Sequence, residues 1–304
     1  MSKAAFGRTV LAALLVALPA GISGAFAKDP KVLSDQTISG IAFPESVACD
    51  AQGKALYASL FVSELKPTQK DGKGKITKLS LTGEILEDQF LPAAGGEALN
   101  KPKGSWVKGN RLWVADIDVV WLFDIKSRKG KKVALPDIQF ANDLVLQGNA
   151  LYVSDNRADR LYRVEPADFL NSKSDPKITV VFSDKGVNPN GIYPAKDGSM
   201  LMVGFKSAEE ARGIYSVDKK GNVKELSKPI GRLDGLYQMS DGTILATDWN
   251  SGSLFSWTAK DGVKTLASNF KGPADLCTYQ NGKGLMVVVP DLAKSELRLI
   301  QLSK

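Results

Sequence analysis

The chain has 304 residues, a formal net charge of +7, two cysteines and no histidine. Without imidazole, Ser-His-Asp and Cys-His catalysis and histidine-based zinc sites are excluded, so proton transfer near neutrality must use a carboxylate, a metal-bound water, lysine or tyrosine. The mild basic excess bears on solubility. The basic runs "QKDGKGKITK" (69–78) and "KSRKGKK" (126–132) lack interleaved aromatics and read as solvated loops, not a nucleic-acid surface.

Residues 1–27 read as a secretory signal: Lys3 and Arg8, the apolar run "TVLAALLVALPAG", then "AFA" at 25–27. Cleavage there would leave a chain starting at Lys28, expected to be exported to the periplasm or secreted. No later segment is long and apolar enough to span a membrane.

Beyond Lys28 the chain repeats. Six units each set two apolar runs around a Gly-containing turn: "PESVACDAQGKALYAS" from 44, "KGSWVKGNRLWVAD" from 103, "ANDLVLQGNALYVSD" from 141, "PNGIYPAKDGSMLMVG" from 189, "LDGLYQMSDGTILATD" from 233 and "ADLCTYQNGKGLMVVV" from 274. This is the signature of a β-hairpin. A third strand follows in every unit ("GKITKLS", "VVWLFDI", "DRLYRVE", "RGIYSVD", "GSLFSWT", "SELRLIQ") and a fourth in the first five. Units of about 46 residues with four strands have the size of propeller blades, and no helical period competes with them. The sixth unit lacks its fourth strand, which "KVLSDQTI" (31–38) can supply, closing the ring and removing exposed edges. The expected fold is all-β: one six-bladed β-propeller over 28–304. Six in-register units argue against a sandwich or stacked barrels.

In a propeller the heads of the innermost strands converge at one mouth of the central channel. In this alignment they are Glu45, Gly104, Asn142, Asn190, Asp234 and Asp275. Turns are also rich in Asn, Asp and Gly, but that preference gives no reason for one register in each unit. Carboxylate and amide oxygens without nitrogen or thiolate suit a hard divalent cation, Ca²⁺ first, with Mg²⁺ or Zn²⁺ as alternatives. "DGKGKIT" (71–77) runs into the strand "GKITKLS" and is rejected as a phosphate loop.

On "FPESVACD", "ANDLVLQGNALYVSD", "NPNGIYPAKDG" and "RLDGLYQMSDG" the whole chain after the signal resembles the senescence-marker-protein/gluconolactonase group of propellers. The resemblance implies Glu45, Asn142, Asn190 and Asp234 as metal ligands, Asp234 as general base or nucleophile, and Asn142 on the substrate side. It departs from that group at Phe140, where sugar-acid lactonases often carry arginine, in the missing channel histidine of the phosphatase relatives, and in the residues after Glu45. Asp275 reads either as a water-orienting group behind the ligands or as a turn aspartate.

The expected function is an exported, monomeric, divalent-metal-dependent hydrolase of lactones or small esters. The alternative is a non-catalytic propeller with a structural cation and a protein or small-molecule partner. Cys49 and Cys277 fall on inner strands of neighbouring blades, placing a disulfide across the closure worth on the order of 4 kcal/mol or more, with two buried thiols as the alternative. The five tryptophans read mainly as inter-blade packing, with Trp249 and Tyr237 near enough to Asp234 in sequence to wall a pocket.

Overall fold

The computed structural model describes Met1 and residues 30–303, so the expected signal segment and the Lys28 start lie outside the described residues. Twenty-four strands form six four-stranded antiparallel sheets, and no helix occurs among the described residues. In five sheets the strands follow chain order. In the sixth, Val32–Ser39 pairs with Glu296–Leu302 and completes the blade begun by Cys277–Asn281 and Gly284–Asp291. The inner strands contact their neighbours around the ring, blade one touching both two and six, so the propeller closes as the sequence requires.

The apolar residues alternate because each sheet is covered on both faces. In Ala55–Leu60, Ala55 and Tyr57 enter the layer shared with blade two, while Leu56, Ala58 and Leu60 enter the layer shared with blade six. One such core lies at each of the six blade interfaces. Inner hairpins turn on left-handed glycines where the chain demands them: Gly198 (φ 84°) and Gly242 (φ 94°) each donate a backbone N–H three residues back, to Ala195 and Met239.

One local feature fixes the channel. Every inner strand carries a one-residue bulge near its head, where the pairing jumps from Pro44 to Ser46, Pro102 to Ser105, Ala141 to Leu144, Pro189 to Ile192 and Leu233 to Leu236; in blade six the jump lies between the Pro273 bridge and Cys277. A bulge re-aims side chains, so two consecutive residues per blade address the channel and its neighbours. Aspartates at the end of the second strand pin the approach to this bulge. Asp116 accepts the N–H of Asn100 and Lys101, Asp155 that of Gln139, Asp248 that of Arg232, and Asp291 those of Lys271 and Gly272.

Candidate functional site

Aligned on the bulges, the first channel positions are Glu45, Lys103, Asn142, Asn190, Asp234 and Ala274; the second are Ser46, Gly104, Asp143, Gly191, Gly235 and Asp275. The expected ring is therefore corrected at two blades. Lys103, not Gly104, faces the ring from blade two, and Asp275 belongs to the layer behind. The glycines of that second layer are sites of close approach: a Cβ on Gly104 would lie 2.5 Å from the Cα of Asp143, and one on Gly191 would collide with the carbonyl oxygen of Asp234.

The four expected ligands do come together. Glu45, Asn142, Asn190 and Asp234 are all at least nine-tenths buried. Asn142 Nδ2 donates to Asn190 Oδ1, and the Asn190 side chain also bonds Asp234. Trp249 Nε1 donates to Asp234 Oδ2 at 2.8 Å, so Trp249 holds this carboxylate from the mouth. Glu45 Oε2 is buried with no hydrogen-bond partner among the described residues. An unpartnered buried carboxylate oxygen is costly and wants a cation or a proton.

Electrostatics agree. Burial, followed by Asp234, pushes the Glu45 carboxyl well above its usual value. Burial and Asp275 push Asp234 up to about 8; burial pushes Asp275 up to about 7; burial and Asp275 also raise Asp143 strongly. Four buried, mutually repelling carboxyls cannot all ionise without a counter-charge. Part of it is resident. Lys103 is fully buried, donates from Nζ to the Lys101 carbonyl at 3.0 Å, and lies 4.3 Å above the Phe140 ring, whose surroundings also include Arg157 at 4.5 Å; burial lowers its pKa to about 8. Phe140, where the resembled lactonases place arginine, is thus a platform for two cations.

Behind the ring, Asp275 bridges blades. It accepts from Ser46 Oγ at 2.7 Å and from its neighbour Leu276 N–H, and its own N–H donates to the Glu45 carbonyl. Asp143 holds the next blade in the same way, accepting the N–H of Leu144 and of Ile192. Neither is a simple turn residue. A cation at the ring would draw on two carboxylates and two amides. Among the described residues no three His, Cys, Asp or Glu side chains are grouped as a metal centre by themselves. The oxygen-only donor set and the orphaned Glu45 oxygen fit a hard cation, provided the Asn142 amide turns over to present its oxygen.

The far half of the channel is different. The tails of the inner strands enclose a cavity of about 310 Å³, floored by Asp143 and Asp275 and walled by Trp106, Tyr193, Tyr237 and the Cys49–Cys277 pair. Of the two readings the sequence left open for these cysteines, the structure shows the disulfide, with Cα atoms 5.7 Å apart, across the closure of blades one and six. Of the tryptophans, Trp113 and Trp121 are core, Trp106 and Trp257 pack partly buried against it, and Trp249 belongs to the mouth. Residues 75–77 of the rejected phosphate loop lie in the strand Lys75–Ser80.

Bulged, oxygen-lined inner strands closed into a ring define a six-bladed β-propeller with a polar channel, and solved structures share that fold. A candidate gluconolactonase superposes with a TM-score of 0.64 at 14% identity, over 90% of this chain and 94% of that one. Virginiamycin B lyase from Staphylococcus aureus gives 0.59 at 13% identity, over 89% and 99%, and a streptogramin B lyase gives 0.58 at 14%, over 89% and 98%. At these identities the likeness is one of fold. No protein-family model and no curated protein matches the chain.

Proposed function

We propose that the protein is an exported, divalent-cation-dependent hydrolase of lactones or related small esters, working at the head of the channel. The observation that carries this reading is the buried Glu45 oxygen without a partner, in a ring completed by the buried side chains of Asn142, Asn190 and Asp234. Those four residues would hold the cation, Ca²⁺ before Mg²⁺ or Zn²⁺. A bound cation would polarise a carbonyl oxygen as a Lewis acid.

The chain's own residues supply the rest. Trp249 fixes Asp234 Oδ2, so the Asp234 carboxyl presents a fixed face to the ring. Beside a bound cation this carboxyl would be held ionised, and it can then accept a proton in a protein without histidine. Asn142 orients substrate from the neighbouring blade, and the Asp275–Ser46 bond keeps the Glu45 strand in place. Lys103 partly offsets the ring's negative charge. Export agrees with the disulfide, which persists in oxidising compartments. The gluconolactonase-like neighbour supports a propeller enzyme in general; the lyases are a different chemistry, and a histidine-to-alanine variant of the S. aureus enzyme is inactive, whereas this chain has no histidine.

A second reading keeps the cation as a structural tie in a partner-binding propeller. It is favoured by the near-complete burial of every ring residue. Hydrolysis of a γ-lactone and an aryl acetate, followed with calcium and with chelator, separates the two. Calcium-dependent turnover reduced about 100-fold or more in Asp234→Asn supports the hydrolase. Absence of turnover by calcium-loaded wild type leaves the structural reading.

A further inference from the structure

The ring uses one half of the channel; the 310 Å³ cavity occupies the other, and none of its walls belongs to the ring. Its composition is specific. Asp143 and Asp275 lie at the deep end, both at least nine-tenths buried, while Trp106, Tyr193 and Tyr237 are half-buried and open toward the rim. The three aromatic rings form a continuous wall: Trp106 and Tyr193 have centroids 6.4 Å apart, and Tyr193 and Tyr237 meet edge-on at 5.1 Å. The Tyr193 and Tyr237 hydroxyls have no hydrogen-bond partner among the described residues. Acid at the bottom, aromatic faces on the side and polar tips at the rim form a site for a molecule with a charged end and an apolar body.

The sign of that charge follows from the donors. The lining contains no lysine or arginine, and its two ionisable deep groups are carboxylic acids. Each of their four oxygens already accepts one hydrogen bond from the protein, which fixes their direction and leaves further lone pairs for an added donor. Aromatic faces attract cations as well.

We infer that the tail cavity is a second ligand site, separate from the ring, which binds a small organic ammonium, its charged nitrogen against Asp143 and Asp275 and its apolar body on Trp106, Tyr193 and Tyr237. It does not depend on the hydrolase reading. Two probes of equal shape test it: 2-phenylethylamine and 2-phenylethanol, titrated calorimetrically into the disulfide-bonded protein with chelator present. The ammonium binds about tenfold or more tighter than the alcohol, as expected for a charged donor placed against carboxyl oxygens. Asp275→Asn removes that preference without changing affinity for the alcohol, Tyr237→Leu weakens both probes, and Glu45→Gln in the ring leaves affinity for the alcohol unchanged and the preference for the ammonium in place. Both acids also tie neighbouring blades, so the isosteric Asp275→Asn with an unaltered circular dichroism spectrum is the deciding variant. Equal affinity for the two probes, no binding of either, or ammonium binding lost in Glu45→Gln but retained in Asp275→Asn overturns the inference. The readout is probe affinity alone, measured without calcium and without ester.

Discussion

Replacing both members of the Cys49–Cys277 disulfide by alanine tests how the ring is closed. The bond spans 228 residues of chain and joins the inner strands of blades one and six. In the chain-entropy treatment a loop of this length removes about 18 cal/mol/K from the unfolded chain, or about 5 kcal/mol at 25 °C. The same interface is tied independently by the pairing of Val32–Ser39 with Glu296–Leu302 and by the core containing Leu56, Val288 and Leu299. The fold therefore survives the loss, and the entropic figure is an upper bound. At about 2 °C per kcal/mol for a domain of this size, the melting temperature should fall by roughly 5–10 °C. Differential scanning calorimetry of the double variant and of wild type, each with and without reductant, measures it. Because both cysteines line the tail cavity, reductant should bring wild type down to the variant. A shift below about 2 °C, or a variant that does not fold, would refute the division of closure between strand pairing and disulfide.

Two further outcomes follow from the channel. In chelator, Glu45, Asp143, Asp234 and Asp275 hold protons that the unfolded chain has already released, so stability should fall as pH rises from about 4 through 7–8. Lys103, lowered to about 8, binds fewer protons folded than unfolded above that value, so the slope should reverse toward pH 10. Saturating calcium should flatten the acid limb, and calcium affinity itself should rise between pH 6 and 8; a chelated melting temperature that climbs over that interval would contradict the buried-acid cluster. Separately, Gly191→Ala should cost about 3 kcal/mol or more in urea unfolding, because its Cβ meets the backbone of Asp234, whereas Gly242→Ala at an exposed left-handed turn should cost nearer 1–2 kcal/mol. Equal costs would mean the inner strands are not in close contact.

The blades were legible because strand alternation and Gly turns are local signals, repeated six times. Closure by residues 31–38 was legible from the one missing strand. The oxygen ring was legible at Glu45, Asn142, Asn190 and Asp234 because those blades keep the same spacing. It failed at blade two, where Lys103 reads as a solvent-exposed charge and its burial depends on Phe61 and Phe140 from distant segments. A signal was present: Gly104 matches Gly191 and Gly235, which shifts the ring position one residue back to Lys103. Asp275 was misregistered because the bulge of blade six precedes its strand instead of interrupting it. Asp143 was passed over beside Asn142, since one residue of register decides which layer a side chain joins. The tail cavity had no sequence signature at all; it arises from side chains of different sizes meeting where inner strands end.

The measurement that tests the central claim most directly is a calorimetric calcium titration of wild type against the combined Asp234→Ala and Asn190→Ala variant. The ring described here predicts about one ion bound by wild type and none by the variant. Wild type that binds neither calcium, magnesium nor zinc would contradict the cation site and the hydrolase reading with it.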